Sequence, residues 1–190
     1  MSDPVAGFVL AGGRSTRMGR DKALLDWNGE TLVELALRKL RAVCAEVAIA
    51  GGGADLARFG RVIPDETPGL GPLGGIVAAL EQSAYEWNLF LAVDMPFVPE
   101  EALRALIAAA GGREMILLAQ ADGYVQPLCG MYSRRALPVL RRELEAGRLK
   151  LKDAAAATGS CGYLQIGTES WFQNLNTPDN FRAALGSKHR

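Results

Sequence analysis

The segment from Leu10 to Lys22, LAGGRSTRMGRDK, packs a strand end, the paired glycines Gly12 and Gly13, two hydroxyls and the cations Arg14, Arg17, Arg20 and Lys22 into one short loop. Backbone N–H groups turned outward at a glycine loop, together with fixed cations, suit the oxygens of a triphosphate. The segment is not a Walker-type phosphate loop, because no glycine is followed by Lys and Ser or Thr at that spacing, and it lacks the GxGxxG dinucleotide fingerprint. A basic glycine loop can also be a plain solvated connection. Its place directly after an apolar strand favours the phosphate reading.

Asp94 follows the apolar run Leu89 to Val93 and precedes Met95-Pro96, so its carboxylate emerges at a strand end. A hard oxygen there can hold Mg²⁺ through one contact while phosphates and waters fill the other positions. Taken alone, an aspartate at this point caps a turn or helix as readily. The phosphate loop across the same edge tips the balance toward the metal.

The stretch DETPGLGPLGGI, Asp65 to Ile76, sets a carboxylate beside a glycine- and proline-rich loop that lets backbone approach a flat ligand. FQNLNTPDNF, Phe172 to Phe181, puts Asn174 and Asn176 on one side of an extended segment, and Gln126 adds a further amide. Amides donate and accept, which suits a polyfunctional ring. Asn176-Thr177-Pro178-Asp179 is equally good helix-start chemistry. The single histidine, His189, lies in the tail, which disfavours histidine triads and histidine-rich zinc sites.

These residues need a scaffold that gathers them. Val5 to Ala11, Glu46 to Ala50, Arg61 to Ile63, Leu89 to Val93, Met115 to Ala119 and Leu128 to Tyr132 read as strands, with Gly162 to Ile166 extended. The last two of the six pair antiparallel across an Asp122-Gly123 turn. Helices are expected after a Thr31/Glu34 capping box as far as about Val43, over Ile76 to Gln82, after Pro99, from a Ser133 cap to about Gly147, over Lys152 to Ala157, and after Thr177-Pro178-Asp179. Alternating strands and helices imply a three-layer α/β fold, a mostly parallel sheet with helices on both faces and ligands at its carboxyl edge.

Among 190 residues, 49% are hydrophobic and Lys plus Arg balances Asp plus Glu at 21 each, so neither a nucleic-acid surface nor a basic membrane-binding face is indicated. The length fits one domain over residues 1–190. Cys44, Cys129 and Cys161 fit neither a disulfide framework nor a CxxC motif, and the expected setting is a reducing cytoplasm. No signal peptide and no membrane span are expected. A phosphate acceptor is already ionised near neutrality, so its nucleotidylation needs positioning and charge neutralisation more than a general base.

LAGGRSTRMGRDKALL, VIPDETPGLGPLGGI, FLAVDMPFVP and FQNLNTPDNF, in that order, resemble the molybdenum cofactor guanylyltransferases. The resemblance spans nearly the whole chain. Its first motif marks nucleotidyltransferases broadly, and NLNTP narrows the family. It implies a Rossmann-like nucleotidyltransferase fold with a nucleotide-binding half over about 1–100 and an acceptor-binding half over about 101–186. It also implies transfer of GMP from GTP to the terminal phosphate of molybdopterin, with Mg²⁺ as cofactor, and transient contact with proteins that donate or accept the cofactor. By position, Leu10, Ala11, Gly12 and Gly13 would contact the nucleotide, Arg17 and Lys22 its phosphates, Asp65 would aid nucleotide recognition and Asp94 would hold Mg²⁺. Gln126, Asn174 and Asn176 would face the pterin acceptor.

One departure concerns the end of the second strand, where family members often carry a nucleotide-binding asparagine and this chain reads Ala50-Gly51-Gly52-Gly53. Molybdopterin cytidylyltransferase and sugar-phosphate nucleotidyltransferase are the alternative enzymes. A GTP-binding accessory protein without turnover is the alternative outside catalysis, against which Lys22 and Asp94 both argue.

Overall fold

A computed structural model describes residues 3–12, 21–65, 69–175, 180–182 and 184. Its centre is a seven-stranded sheet built from β1 (Ala6–Leu10), β4 (Glu46–Ala50), β5 (Val62–Ile63), β6 (Trp87–Ala92), β7 (Ile116–Ala121), β8 (Tyr124–Ser133) and β9 (Cys161–Gln165). The order across it is β5-β4-β1-β6-β8-β7-β9, and only β8 runs against its neighbours. A small hairpin of β2 (Asp26–Trp27) and β3 (Glu30–Thr31) stands apart, joined through Asn28 and Gly29.

Alternation along β1 explains the layers. Val5 and Val9 point to one face, where α1 (Leu32–Arg41) and α3 (Glu100–Ala109) pack, while Ala6, Phe8 and Leu10 point to the other, covered by α2 (Gly71–Gln82), α4 (Leu137–Glu145) and α5 (Leu151–Ala156). Helix α1 begins as expected: Thr31 accepts from Glu34 N, and Glu34 accepts from Thr31 N at 2.8 Å. The Thr31 hydroxyl, donating to Glu34 at 2.6 Å, and then Thr31 N hold the Glu34 carboxyl below its ordinary pKa.

Several boundaries differ from expectation. Helix α2 starts at Gly71 rather than Ile76, because Pro72 is favourable in a first turn and Leu73 and Ile76 are fully buried, which outweighs the glycines. Strand β8 starts at Tyr124 rather than Leu128. It absorbs Pro127 by a shift of register, Leu118 facing Gly130 while Ala119 faces Gln126. Ser133 caps a 3-10 turn, Arg134–Ala136, ahead of α4. The expected Thr177-Pro178-Asp179 helix start lies outside the described residues. Among the described residues, no helix is long and apolar enough to cross a membrane.

Candidate active site

Because β1, β4, β5 and β6 are parallel, their ends share one edge. Leu10 lies between Ala50 and Ala92 in register, and Ala11 N donates to Ala50 O at 3.0 Å. The next residue, Gly12, meets Gly51 so closely that a Cβ on Gly51 would stand 3.0 Å from the Gly12 Cα. Gly51 also has φ of 77°, so this contact excludes ordinary side chains twice over. The end of β4, where the family resemblance directs attention to an asparagine, is therefore built of backbone.

Leu10, Ala11, Gly12, Lys22 and Asp94 line one cavity of about 170 Å³, with Asp21 and Leu128 also on its wall. The side chain of Asp21 accepts from Ala23 N at 3.0 Å, starting the 3-10 turn Lys22–Leu24 that presents the lysine. Lys22 Nζ stands 3.4 Å from Asp94 Oδ2, with side-chain exposures of 18% and 17%. Asp94 itself is set by its neighbours: Val93 N donates to Leu10 O, and Asp94 O accepts from Leu175 N at 3.0 Å. The cavity thus offers a cation for phosphate oxygens beside a carboxylate for a divalent ion. Among the described residues no group of three or more His, Cys, Asp or Glu gathers as a metal cage. A single carboxylate oxygen completed by phosphate and water is the donor set that fits Mg²⁺.

Asp65 stands elsewhere. A Cβ on Gly74 would come within 2.7 Å of Asp65 Oδ1, so the carboxylate rests on the first turn of α2. There it borders a cavity of about 570 Å³ with Val77, Glu81 and Arg141, while Pro72 of the same turn faces the smaller cavity. Asp65 does not line the cavity of the Lys22–Asp94 pair.

Gln126 and Asn174, from distant parts of the chain, line a third cavity of about 620 Å³ together with Tyr124 and Gln173. The 3-10 turn Glu169–Phe172 borders it, Glu169 N donating to Asp122 Oδ2 at 2.8 Å. Asn174 Oδ1 is buried without a hydrogen-bond partner among the described residues. An orphan acceptor of this kind is costly unless a donor arrives. The cavities are neighbours through the backbone: Leu128 lines the Lys22–Asp94 cavity two positions beyond Gln126, and Leu175 bonds Asp94 one position beyond Asn174.

Gly13, Arg17 and Asn176, like Arg14 and Arg20, lie outside the described residues. Sequence pattern alone does not mark Asp21, Pro72, Leu128 and Tyr124 as site walls; Asp21, one residue before a lysine and two before its own N–H partner, is the readable one. Cys129 is not a candidate nucleophile: it is fully buried, and burial pushes its thiol up to about 12.

The carboxyl edge of a mostly parallel sheet brings a glycine-terminated strand, a lysine and a carboxylate to one cavity, an arrangement that suits a nucleoside triphosphate. The family model described as the MobA-like NTP transferase domain matches residues 7–158. Molybdenum cofactor guanylyltransferase from Pseudomonas putida is 31% identical over 184 residues, covering 94% of this chain and 96% of that protein. A probable molybdenum cofactor guanylyltransferase from Pelotomaculum thermopropionicum is 38% identical over 149 residues, covering 77% and 72%. The crystal structure of molybdopterin-guanine dinucleotide biosynthesis protein A from Archaeoglobus fulgidus superposes with a TM-score of 0.78 at 26% identity, over 97% of this chain and 98% of that one. The chain belongs to the MobA-like nucleotidyltransferases, in the molybdenum cofactor guanylyltransferase family.

Proposed function

We propose that the protein transfers GMP from GTP to the terminal phosphate of molybdopterin, forming molybdopterin guanine dinucleotide and releasing pyrophosphate. The observation that carries this reading is a pair of cavities bordered by neighbouring stretches of chain, one holding the Lys22–Asp94 pair and the other Gln126 and the Asn174 oxygen that has no partner among the described residues. A donor triphosphate and a polar acceptor require such adjoining sites. Residues of about 1–100 would hold the nucleotide and those of about 101–186 the acceptor.

In this reading the backbone of Leu10, Ala11, Gly12 and Gly13 cradles the nucleotide, and Lys22, with Arg17 assigned by resemblance, holds the phosphates. Asp65 contributes to nucleotide recognition from beside the first turn of α2. Asp94 would hold Mg²⁺, which when bound supplies neutralisation of phosphate charge. The amides of Gln126, Asn174 and Asn176 orient the pterin so that its terminal phosphate attacks the α-phosphorus in line, opposite the departing pyrophosphate. An oxygen–phosphorus bond forms as the bond to pyrophosphate breaks, and Lys22 stabilises the charge that accumulates on the leaving group. No side chain need remove a proton, since the acceptor phosphate is already anionic.

Transfer of CMP from CTP is the second reading, since Gly51 and Gly52 carry no side chain at the place where the family's asparagine would meet the base. Free Cys44, Cys129 and Cys161 support a reducing compartment such as the cytoplasm. Mass analysis of the product formed from molybdopterin and GTP tests the proposal: the expected species carries one GMP joined through a pyrophosphate, and a product without GMP contradicts it.

A further inference from the structure

Lys39 sits on the buried side of α1 with 9% of its surface exposed. Its Nζ donates to Pro96 O at 2.6 Å and to Val98 O at 2.7 Å, both short, charge-assisted bonds inside the protein. Those carbonyls belong to the segment 93–99 between β6 and α3, and Asp94 precedes the first of them by two residues. Burying an ammonium is far more costly than burying a methionine in the same space. The carbonyls of Pro96 and Val98 supply part of the compensation, and they would otherwise be left without this donor.

The same segment is fixed at other points. Met95 N donates to Ala92 O at 3.2 Å, Leu175 N donates to Asp94 O at 3.0 Å, and the side chains of Met95 and Val98 are buried. Lys39 ties the segment to α1, reaching the backbone after Asp94 while Leu175 reaches Asp94 itself.

We propose that Lys39 is a positioning residue for Asp94: its ammonium, bound to the carbonyls of Pro96 and Val98, holds the segment that carries the carboxylate so that Asp94 stays at the edge beside Lys22. The inference rests on the reading of Asp94 as the metal-holding carboxylate. Groups that orient a metal-bound carboxylate from outside typically change metal affinity by about 10–100-fold when removed.

The test is Mn²⁺ binding to the full-length protein with GTP and no acceptor, read from the free-ion electron paramagnetic resonance signal, with melting temperature and metal-free GTP binding measured alongside. Lys39→Met should remain folded, bind GTP alone as the parent does, and bind Mn²⁺ with GTP about tenfold more weakly or worse. Lys39→Arg, which keeps a cation and several donors, should recover part of the loss. If Lys39→Met does not fold, Lys39→Gln is scored on the same scale; if neither folds, Lys39 serves general stability and the positioning role is overturned. A folded Lys39 variant with parental Mn²⁺ affinity overturns it too, provided Asp94→Asn loses the ion. Parental affinity in Asp94→Asn instead rejects the metal reading of Asp94 itself, and the inference with it.

Discussion

Lys22 Nζ and Asp94 Oδ2 stand 3.4 Å apart although 72 positions separate the two residues in the chain. Their meeting comes from β1 and β6 being parallel neighbours, so that the chain leaving Leu10 and the chain leaving Ala92 emerge together at one edge. A partly exposed pair of this kind contributes little to stability, about 0–1 kcal/mol. Its value lies in offering opposite charges to one ligand, and removing either member should alter function before fold.

Replacing Asp94 by alanine should lower turnover by a factor on the order of hundreds or more, as expected for loss of a major electrostatic stabiliser. The far-ultraviolet circular dichroism spectrum should be unchanged. Parental Mg²⁺-dependent rates in the variant would remove Asp94 from the metal.

Lys22→Ala should weaken GTP by roughly tenfold, the worth of one hydrogen bond to a charged group, and weaken GMP far less. Titration calorimetry with both nucleotides separates the cases. Equal losses would take the lysine off the outer phosphates.

Asn174→Leu removes a buried oxygen that has no partner among the described residues and whose burial costs about 1–3 kcal/mol when unsatisfied. The variant should melt no lower than the parent, show a raised KM for molybdopterin and keep its KM for GTP. A drop in stability with an unchanged acceptor KM would make Asn174 a structural residue.

Cys129 gives a pH signature of folding. Its thiol ionises near 9.0 when free, whereas burial in the folded chain pushes it up to about 12. The folded form therefore retains the proton longer, so the stabilisation is complete below 9.0 and is lost as pH rises toward 12. The slope for this one group is about 1.4 kcal/mol per pH unit. Urea unfolding at about pH 8 and about pH 10 should show a shallower loss in Cys129→Ala than in the parent. Identical slopes would mean that the thiol does not stay protonated.

Much of this is legible in the residues. The Thr31/Glu34 capping box and the strand runs through Phe8 and Phe90 carry their own local physics, and the structure has the box as read and both strands, the second from Trp87 to Ala92 rather than Leu89 to Val93. Pattern fails where tertiary packing decides. Gly71 to Gly75 looks like loop, yet Leu73 and Ile76 bury completely and draw it into α2. Lys39 is charged, yet it continues the buried positions Leu32, Leu35 and Ala36 at helical spacing, a signal that it is inside. Asp65, Gln126 and Asn174 carry no local sign of which cavity they border, because that depends on how α2 and β8 cross the sheet edge.

Guanylyl transfer itself is read from the initial rate of pyrophosphate release when the protein is given molybdopterin, Mg²⁺ and, in separate reactions, GTP, CTP or ATP. Release with GTP should depend on molybdopterin and should far outpace release with the other two nucleotides. Release favouring CTP would contradict the guanine assignment, and GTP binding without any release would contradict catalysis.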